Sequence, residues 1–544
     1  MKASLINSLK NLFVDNPVLI RDLRSRMRGI RMLIFITLFV LIICTATFLY
    51  TLFSLNQLSI TPMNPNQLSN IGGVIYKIIL YISIVIVVIF SPMNLSGVVA
   101  GEKEKQTFDF IRVTTLTPWR YILGYILANT LFITLLIFCT LPVISLAFVF
   151  GGVSPDEVIY AYILLICLAL LLSSFAIMIS ALRKNVRTAQ TTTLAVLFLS
   201  YFLLGHFMGF INHLLGTNLI LSSLPNLLLG KTYFIGIHLP NILLIIIITA
   251  YLFSFFYIIA SRKLYNIEVK SFSYRQFIGF FLIADFILFS LFWKQPTIQT
   301  YSLLFIVSSI MILIAVFNFS PNVIEIGDES WKLKNKIKLF RNLDEDVIFT
   351  YAIFFFQLFL FLVYFYANSL YTFPNATSLW NIQNVRGTLA IGHITQSFLI
   401  LFILITLMTS IAKLASQIMK TRIMAVRLTL ASFLIIFVFL PFIALIFYAS
   451  IEGNQSIPTA ILKMTPYVAL TKILGSDLYI RIMKTIDEAL FYIDPILLNF
   501  IIYIPISLVI IFIANHKRKK SKAKFLKLFS ESPFQTLPED QPKI

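Results

Sequence analysis

The sequence predicts an all-α polytopic membrane protein of about twelve transmembrane helices in a six-plus-six arrangement, with both termini cytoplasmic. Three observations carry that expectation. Apolar runs long enough to cross a hydrocarbon core of ~30 Å recur along the whole chain. The 544 residues are 59% hydrophobic and only 12% charged, and the mean hydropathy is +0.90. Finally, 35 of the 43 Lys and Arg fall in alternate connections between the runs, the pattern that marks cytoplasmic loops. A helix is the natural form for such a run, because it satisfies its own backbone donors and acceptors in lipid.

The first element precedes the first run. In "NPVLIRDLRSRMRGIR", Asn16 and Pro17 make a cap and first-turn pair. Ile20, Leu23, Met27 and Ile30 then line one helical stripe, and Arg21, Arg24, Arg28 and Arg31 another. A basic amphipathic helix of this kind lies in the headgroup layer. It serves either as a simple topology anchor or as an elbow that moves with cytoplasmic machinery. No short apolar core or cleavage site of a secretory signal is seen, so this end is expected to stay attached and cytoplasmic.

Spans are expected near 32–54, 74–96, 121–150, 157–182, 189–211 and 240–260, then 276–293, 299–319, 347–367, 388–412, 427–450 and 494–514. The loop after the second span reads "GEKEKQTFDFIRVTTLTPWRYILGY". Glu102 and Glu104 alternate with Lys103 and Lys105, too polar for lipid, while Phe108 and Ile111 give a short helix an apolar edge. Thr117 and Pro118 cap the next span, and Trp119 and Tyr121 suit the interface. Such a loop is either a docking surface for another protein or a solvated connector.

The halves look duplicated. "SALRKNVRTA" from Ser180 and "SQIMKTRIMA" from Ser416 each place a basic turn between apolar runs. Each is followed by a span and a Pro-led apolar stretch, "LPNLLLG" from Leu224 and "TPYVALTKILG" from Thr465. Six plus six is also the grammar of several transporter classes. The domain layout that follows is an elbow helix at 1–31, a first transmembrane domain at 32–262 with the cytoplasmic segment 97–120, a diverged second domain at 263–515, and a basic cytoplasmic tail at 516–544.

Taken in order, "NPVLIRDLRSRMRG", the "GEKEKQTFDFIRVTTLTPWRYILGY" loop and the "SALRKNVRTA" turn resemble the membrane subunits of ABC-2-type exporters. The match is closest over 16–125, looser to about 260, and architectural beyond that. The resemblance implies a permease of the plasma or inner membrane that carries no catalytic residues or cofactor, with ATP and magnesium on a separate cytoplasmic ABC ATPase. By the same carry-over, Glu102, Glu104, Thr107, Phe108 and Arg112 would face that ATPase. Membrane lipids are the other partner, and whether a second permease chain completes the pore is left open. The corresponding second-half loop, "PNVIEIGDESWKLKNKIKLFRNLDEDV", lacks the Glu-x-Glu-x-x-Thr arrangement, so its coupling to an ATPase is open too.

Several features point elsewhere or nowhere. The formal charge of +20 sits in loops, which argues for topology rather than nucleic acid. Cys44, Cys139 and Cys167 all lie inside apolar runs, so neither a disulfide framework nor a metal cluster is expected. Gly230-Lys231-Thr232 imitates the end of a phosphate-binding loop, but the first glycine position is Pro225 and no strand precedes it. Asp285 and His206 are the best candidates for functional groups inside spans; a local bond to a neighbouring helix explains Asp285 equally well, and an interhelical hydrogen bond is the better reading of His206. Asn375 and Asn454 have glycan-acceptor spacing, a weak signal. A secondary transporter is the competing class, disfavoured by 19 Gly in 544 residues and by few midspan carboxylates. A lipid-linked enzyme would need clustered acids or His; Asp477, Asp487, Glu488 and Asp494 show no catalytic spacing. The 53 Phe and 23 Tyr fit a lipophilic cargo better than a small ion.

Overall fold

The computed structural model describes residues 16–58, 65–108, 117–198, 231–234, 237–264, 270–291, 298–319, 345–372, 391–419, 421–436 and 495–530. These residues are almost wholly helical, and eight of their helices are long and apolar enough to cross a membrane. The chain is a multi-pass membrane protein. Each of the twelve runs expected from sequence coincides, in whole or in part, with a described helix. The stretches from Leu224 and Thr465, and His206, Asn375, Asn454, Asp477, Asp487, Glu488 and Asp494, lie outside the described residues. Two compact units divide at Leu282 and Ile283.

The first unit opens with α1 (Pro17–Met27) and α2 (Ile30–Leu58). Thr37, Thr45, Thr47 and Thr51 in α2 each return their hydroxyl to a carbonyl one turn back, so these four hydroxyls do not meet lipid as bare donors. Leu33, Leu41, Phe48 and Phe53 on this helix are exposed, as a lipid-facing surface requires. Next come α3 (Pro65–Ser96), the short α4 (Val98–Glu104) and α5 (Pro118–Phe138).

The third predicted run is broken. It forms α5 and a second helix, α6 (Leu141–Phe150), separated at Cys139 and Thr140. Pro142 explains the break, because it brings no N–H and its ring crowds the carbonyl four residues back. Helix α7 (Pro155–Leu182) starts at Ser154, whose side chain accepts from the Glu157 amide, with Pro155, Asp156 and Glu157 filling the first turn. Gly72 of α3 lies against the end of α6: a Cβ there would sit 2.0 Å from the Gly151 carbonyl oxygen, so no larger residue fits. A helix at 186–198 follows. Then come a two-stranded antiparallel hairpin, β1 (Lys231–Phe234) and β2 (Ile237–Pro240), and α9 (Asn241–Lys263); the helix at 186–198 is α8. Helix α10 (Tyr274–Leu291) contains the division between the units.

The second unit holds α11 (Ile298–Phe319), α12 (Glu345–Thr372), α13 (Ile391–Ile418), α14 (Arg422–Leu434) and α15 (Pro495–Ser530). Helix α13 is its hub and packs on all four others. Its core is aromatic: Phe398 meets Phe305, Phe354 and Phe361 at ring separations of 5.2 to 5.8 Å.

Candidate functional site

The loop after the second span is the site that sequence singles out, and the structure builds it from four elements. Helix α4 ends in a Schellman turn: the Gln106 amide donates to the Lys103 carbonyl at 3.2 Å and the Thr107 amide to the Glu102 carbonyl at 3.0 Å. The turn needs a left-handed residue at its centre. Gln106 supplies it, with φ of 58°, where glycine would be cheaper by about 1–2 kcal/mol. This reversal sends Phe108 back under the helix, where it is 7% exposed and lies 6.4 Å from the Tyr121 ring.

Glu102 is the centre of the polar network. Its carboxylate accepts from the Tyr125 hydroxyl at 2.9 Å and from the Tyr121 hydroxyl. Arg21 of α1 donates to Tyr125 and lies 3.5 Å from the same carboxylate. The Arg21 side chain is 61% exposed and Glu102 is 18% exposed. A half-wet pair at that distance contributes about 0–1 kcal/mol, whereas a hydrogen bond to a charged group contributes about 1.5–3 kcal/mol. The two tyrosines therefore hold Glu102 and Arg21 adds the smaller share.

Tyr121, Tyr125 and Asn129 recur every fourth residue, so they make one polar stripe along α5. Helix α1 lies along that stripe. Asn16 donates to the Arg120 carbonyl at 2.8 Å, Arg21 reaches Tyr125, and Arg26 donates to Asn129 at 3.0 Å. The sequence offset is 104, 104 and 103 residues in turn, so the two helices run side by side in the same direction. Gly124 permits the approach, since a Cβ there would meet the Val18 Cβ at 2.8 Å and Asn16 at 2.9 Å. Asn129 is fully buried and passes the connection on, donating to the Ser91 carbonyl at 3.1 Å and to the Ser173 hydroxyl at 2.9 Å. Four elements (α1, α3, α5 and α7) thus meet through one amide.

The other side of α4 is seated on the turn between α7 and α8. Lys103 donates to the Ala181 carbonyl at 2.6 Å, and the Ser180 hydroxyl accepts from the Ala100 amide at 3.1 Å. Glu104 accepts from the Val186 amide at 2.8 Å, which caps the start of α8 with a negative group. Gly97 and Gly101 face Val186, where an added Cβ would come within 3.0 and 3.3 Å of its methyls. Beneath the polar layer, Val18, Val99, Phe108, Tyr121, Ile177 and Ala181 share one buried cluster.

The five residues expected to face an ATPase thus divide. Phe108 is buried and the Glu102 carboxylate is directed into the chain's own tyrosines. Glu104 and Thr107 are exposed, although both also make internal bonds. Arg112 lies outside the described residues. Of the four basic residues assigned to the elbow, Arg21 turns toward α5, Arg24 and Arg28 are exposed, and the side chain of Arg31 is not among those described. Sequence reasoning passed over Arg26, Tyr125 and Asn129. The four-residue spacing of Tyr121, Tyr125 and Asn129 was the signal that could have found the last two.

The imitation phosphate loop is accounted for differently. Lys231 and Thr232 stand in β1, paired with Pro240 and Leu239, whereas a phosphate loop needs that pair at a helix start.

Residues 17–215 match the family model described as ABC-2 type transporter, and every described residue of this site except Asn16 lies inside that match. No curated protein and no solved structure matches the chain.

Proposed function

We propose that the chain is the membrane-spanning permease of an ABC exporter of the cell membrane, driven by a separate cytoplasmic ATPase. Its exposed edge Glu104–Thr107 receives that ATPase on the cytoplasmic side. The observation that carries this reading is the double attachment of α4. One side is bonded to α5 and α1 through Glu102, and the other to the α7–α8 turn through Lys103, Glu104 and Ser180. A push on α4 is therefore delivered to three other elements together, and such transitions proceed by repacking between discrete arrangements.

Glu102 and Phe108 hold the segment to the permease, while Glu104, Lys105 and Thr107 offer the contact surface. ATP and Mg²⁺ stay on the partner, and the apolar, aromatic-rich spans suit an amphipathic or lipophilic cargo. The test is co-purification with a candidate ATPase, comparing wild type with Lys105→Glu. Association is expected to weaken at least tenfold, about 1.4 kcal/mol, with thermal stability unchanged. Undiminished association would remove the docking assignment. Proteoliposome transport that runs on an ion gradient without ATP would remove the function.

A further inference from the structure

The second unit contains a polar cluster that the coupling reading does not use. Asp285 of α10 is 5% exposed, Gln357 of α12 is fully buried, and Ser308 of α11 is 2% exposed. The Gln357 amide nitrogen donates to Asp285 Oδ1 at 3.2 Å and to Ser308 Oγ at 2.7 Å. Both protons of that amide are then committed. Two acceptors in the cluster, Asp285 Oδ2 and Gln357 Oε1, have no donor among the described residues. They belong to the two side chains that already share a hydrogen bond.

Among the described residues no ion pair reaches this carboxylate. Helix α9, which meets α10 where Tyr251 donates to the Phe280 carbonyl and Arg262 to the Gln276 side chain, carries Tyr251, Tyr257, Arg262 and Lys263, with both cations toward the Arg275 end of α10. Helix α10 carries Tyr274 and Arg275 besides Asp285, and Arg275 stands about 15 Å along the axis. Helix α11 carries Tyr301, and α12 carries Glu345, Asp346, Tyr351, Tyr364, Tyr366 and Tyr371, with no Lys, Arg or His on either. Helix α13, packed on α11 and α12, adds His393 and Lys413 near its two ends. A bare carboxylate and a bare amide oxygen side by side in an apolar span would each keep a desolvation cost of several kcal/mol. One proton answers both. A neutral carboxyl donates from Oδ2 to Oε1 while Oδ1 continues to accept from the amide nitrogen, giving a two-bond acid–amide pair.

We propose that Asp285 and Gln357 form a proton-binding site that clasps α10 to α12, with Ser308 fastening α11 to the same amide. The site takes a single proton, held between the carboxyl and the amide oxygen. The carboxyl gives up that proton only when the α10–α12 seam opens to water. The site lies outside the stretch that matches the transporter family and does not rest on the coupling assignment.

Infrared spectroscopy of the purified full chain in lipid at neutral pH tests it, using Asp285→Asn and Gln357→Leu against wild type. The expected result is a protonated-carboxyl C=O band that is absent in Asp285→Asn and shifts in Gln357→Leu. Asp285→Asn can itself donate to Oε1, so it is expected to fold and to keep the wild-type melting temperature at neutral pH. Should either variant not fold, carbodiimide labelling of wild type, read by mass spectrometry, replaces it; Asp285 is expected to be modified, less so as pH rises. A spectrum with no band lost in Asp285→Asn overturns the proposal, as does a band indifferent to Gln357→Leu or, in the labelling arm, absence of modification at Asp285.

Discussion

The two basic turns that suggest a duplication make their contacts in opposite ways. In the first unit the turn after α7 is gripped by side chains from elsewhere: its Val186 amide donates to Glu104, and the Ala181 carbonyl before it accepts from Lys103, both from the segment after the second span. In the second unit the turn before α14 is a donor: Arg422, 9% exposed, sends its guanidinium to the Asn318 carbonyl near the end of α11. The first arrangement joins the turn to an extra helix, α4, that carries side-chain charge at an exposed edge. The second joins it directly to a spanning helix through a backbone carbonyl.

Breaking the first arrangement at its centre should have the largest effect. Tyr121→Phe/Tyr125→Phe leaves the Glu102 carboxylate with only the exposed Arg21, and a loss of about 3–5 kcal/mol is expected, read as a fall in the thermal unfolding midpoint in detergent. Gly124→Leu is next. It forces a side chain into the space filled by Val18 and Asn16, and about 1–3 kcal/mol should be lost, with α1 released to proteolysis while the second unit stays protected.

The corresponding cut in the second unit is Arg422→Met. It leaves a buried carbonyl without that donor, and about 1–3 kcal/mol of stability should go, yet ATPase association should be unaffected. A loss of association there would show that the two turns are functionally equivalent. The smallest effects sharpen the account of α4. Gln106→Gly should raise stability by about 1 kcal/mol, because it relieves the left-handed residue. Arg21→Ala should cost no more than about 1 kcal/mol, measurably less than either tyrosine change.

Most of the fold was legible because lipid enforces one rule, that a long apolar run must be a helix. The limits of α7 follow from Ser154 and Pro155, and those of α1 from Asn16 and Pro17. The break within 121–150 was missed although Pro142 marks it, because hydropathy continues unchanged through Cys139 and Thr140. Within Gly101–Phe108, sequence reasoning expected Glu102 and Phe108 to face a partner, and the structure turns both inward. Exposed acids before a membrane span read as a docking surface; Glu102 is instead satisfied by Tyr121 and Tyr125, 19 and 23 residues further on. Nothing local to Gly101–Phe108 announces those partners. The Asp285–Gln357–Ser308 cluster was half visible: the acid stood out, but its partner Gln357 lies 72 residues away, and Ser308 is 49 residues from that amide.

The central claim is that α4 presents its free edge to a cytoplasmic ATPase. Lys105 is exposed on that edge, and Lys105→Cys, in a background with Cys44, Cys139 and Cys167 replaced, gives it a single reactive thiol. With a membrane-impermeant maleimide, the account predicts no labelling in intact cells, full labelling in inside-out vesicles, and protection when the ATPase is bound. Labelling from the exterior of intact cells would contradict it.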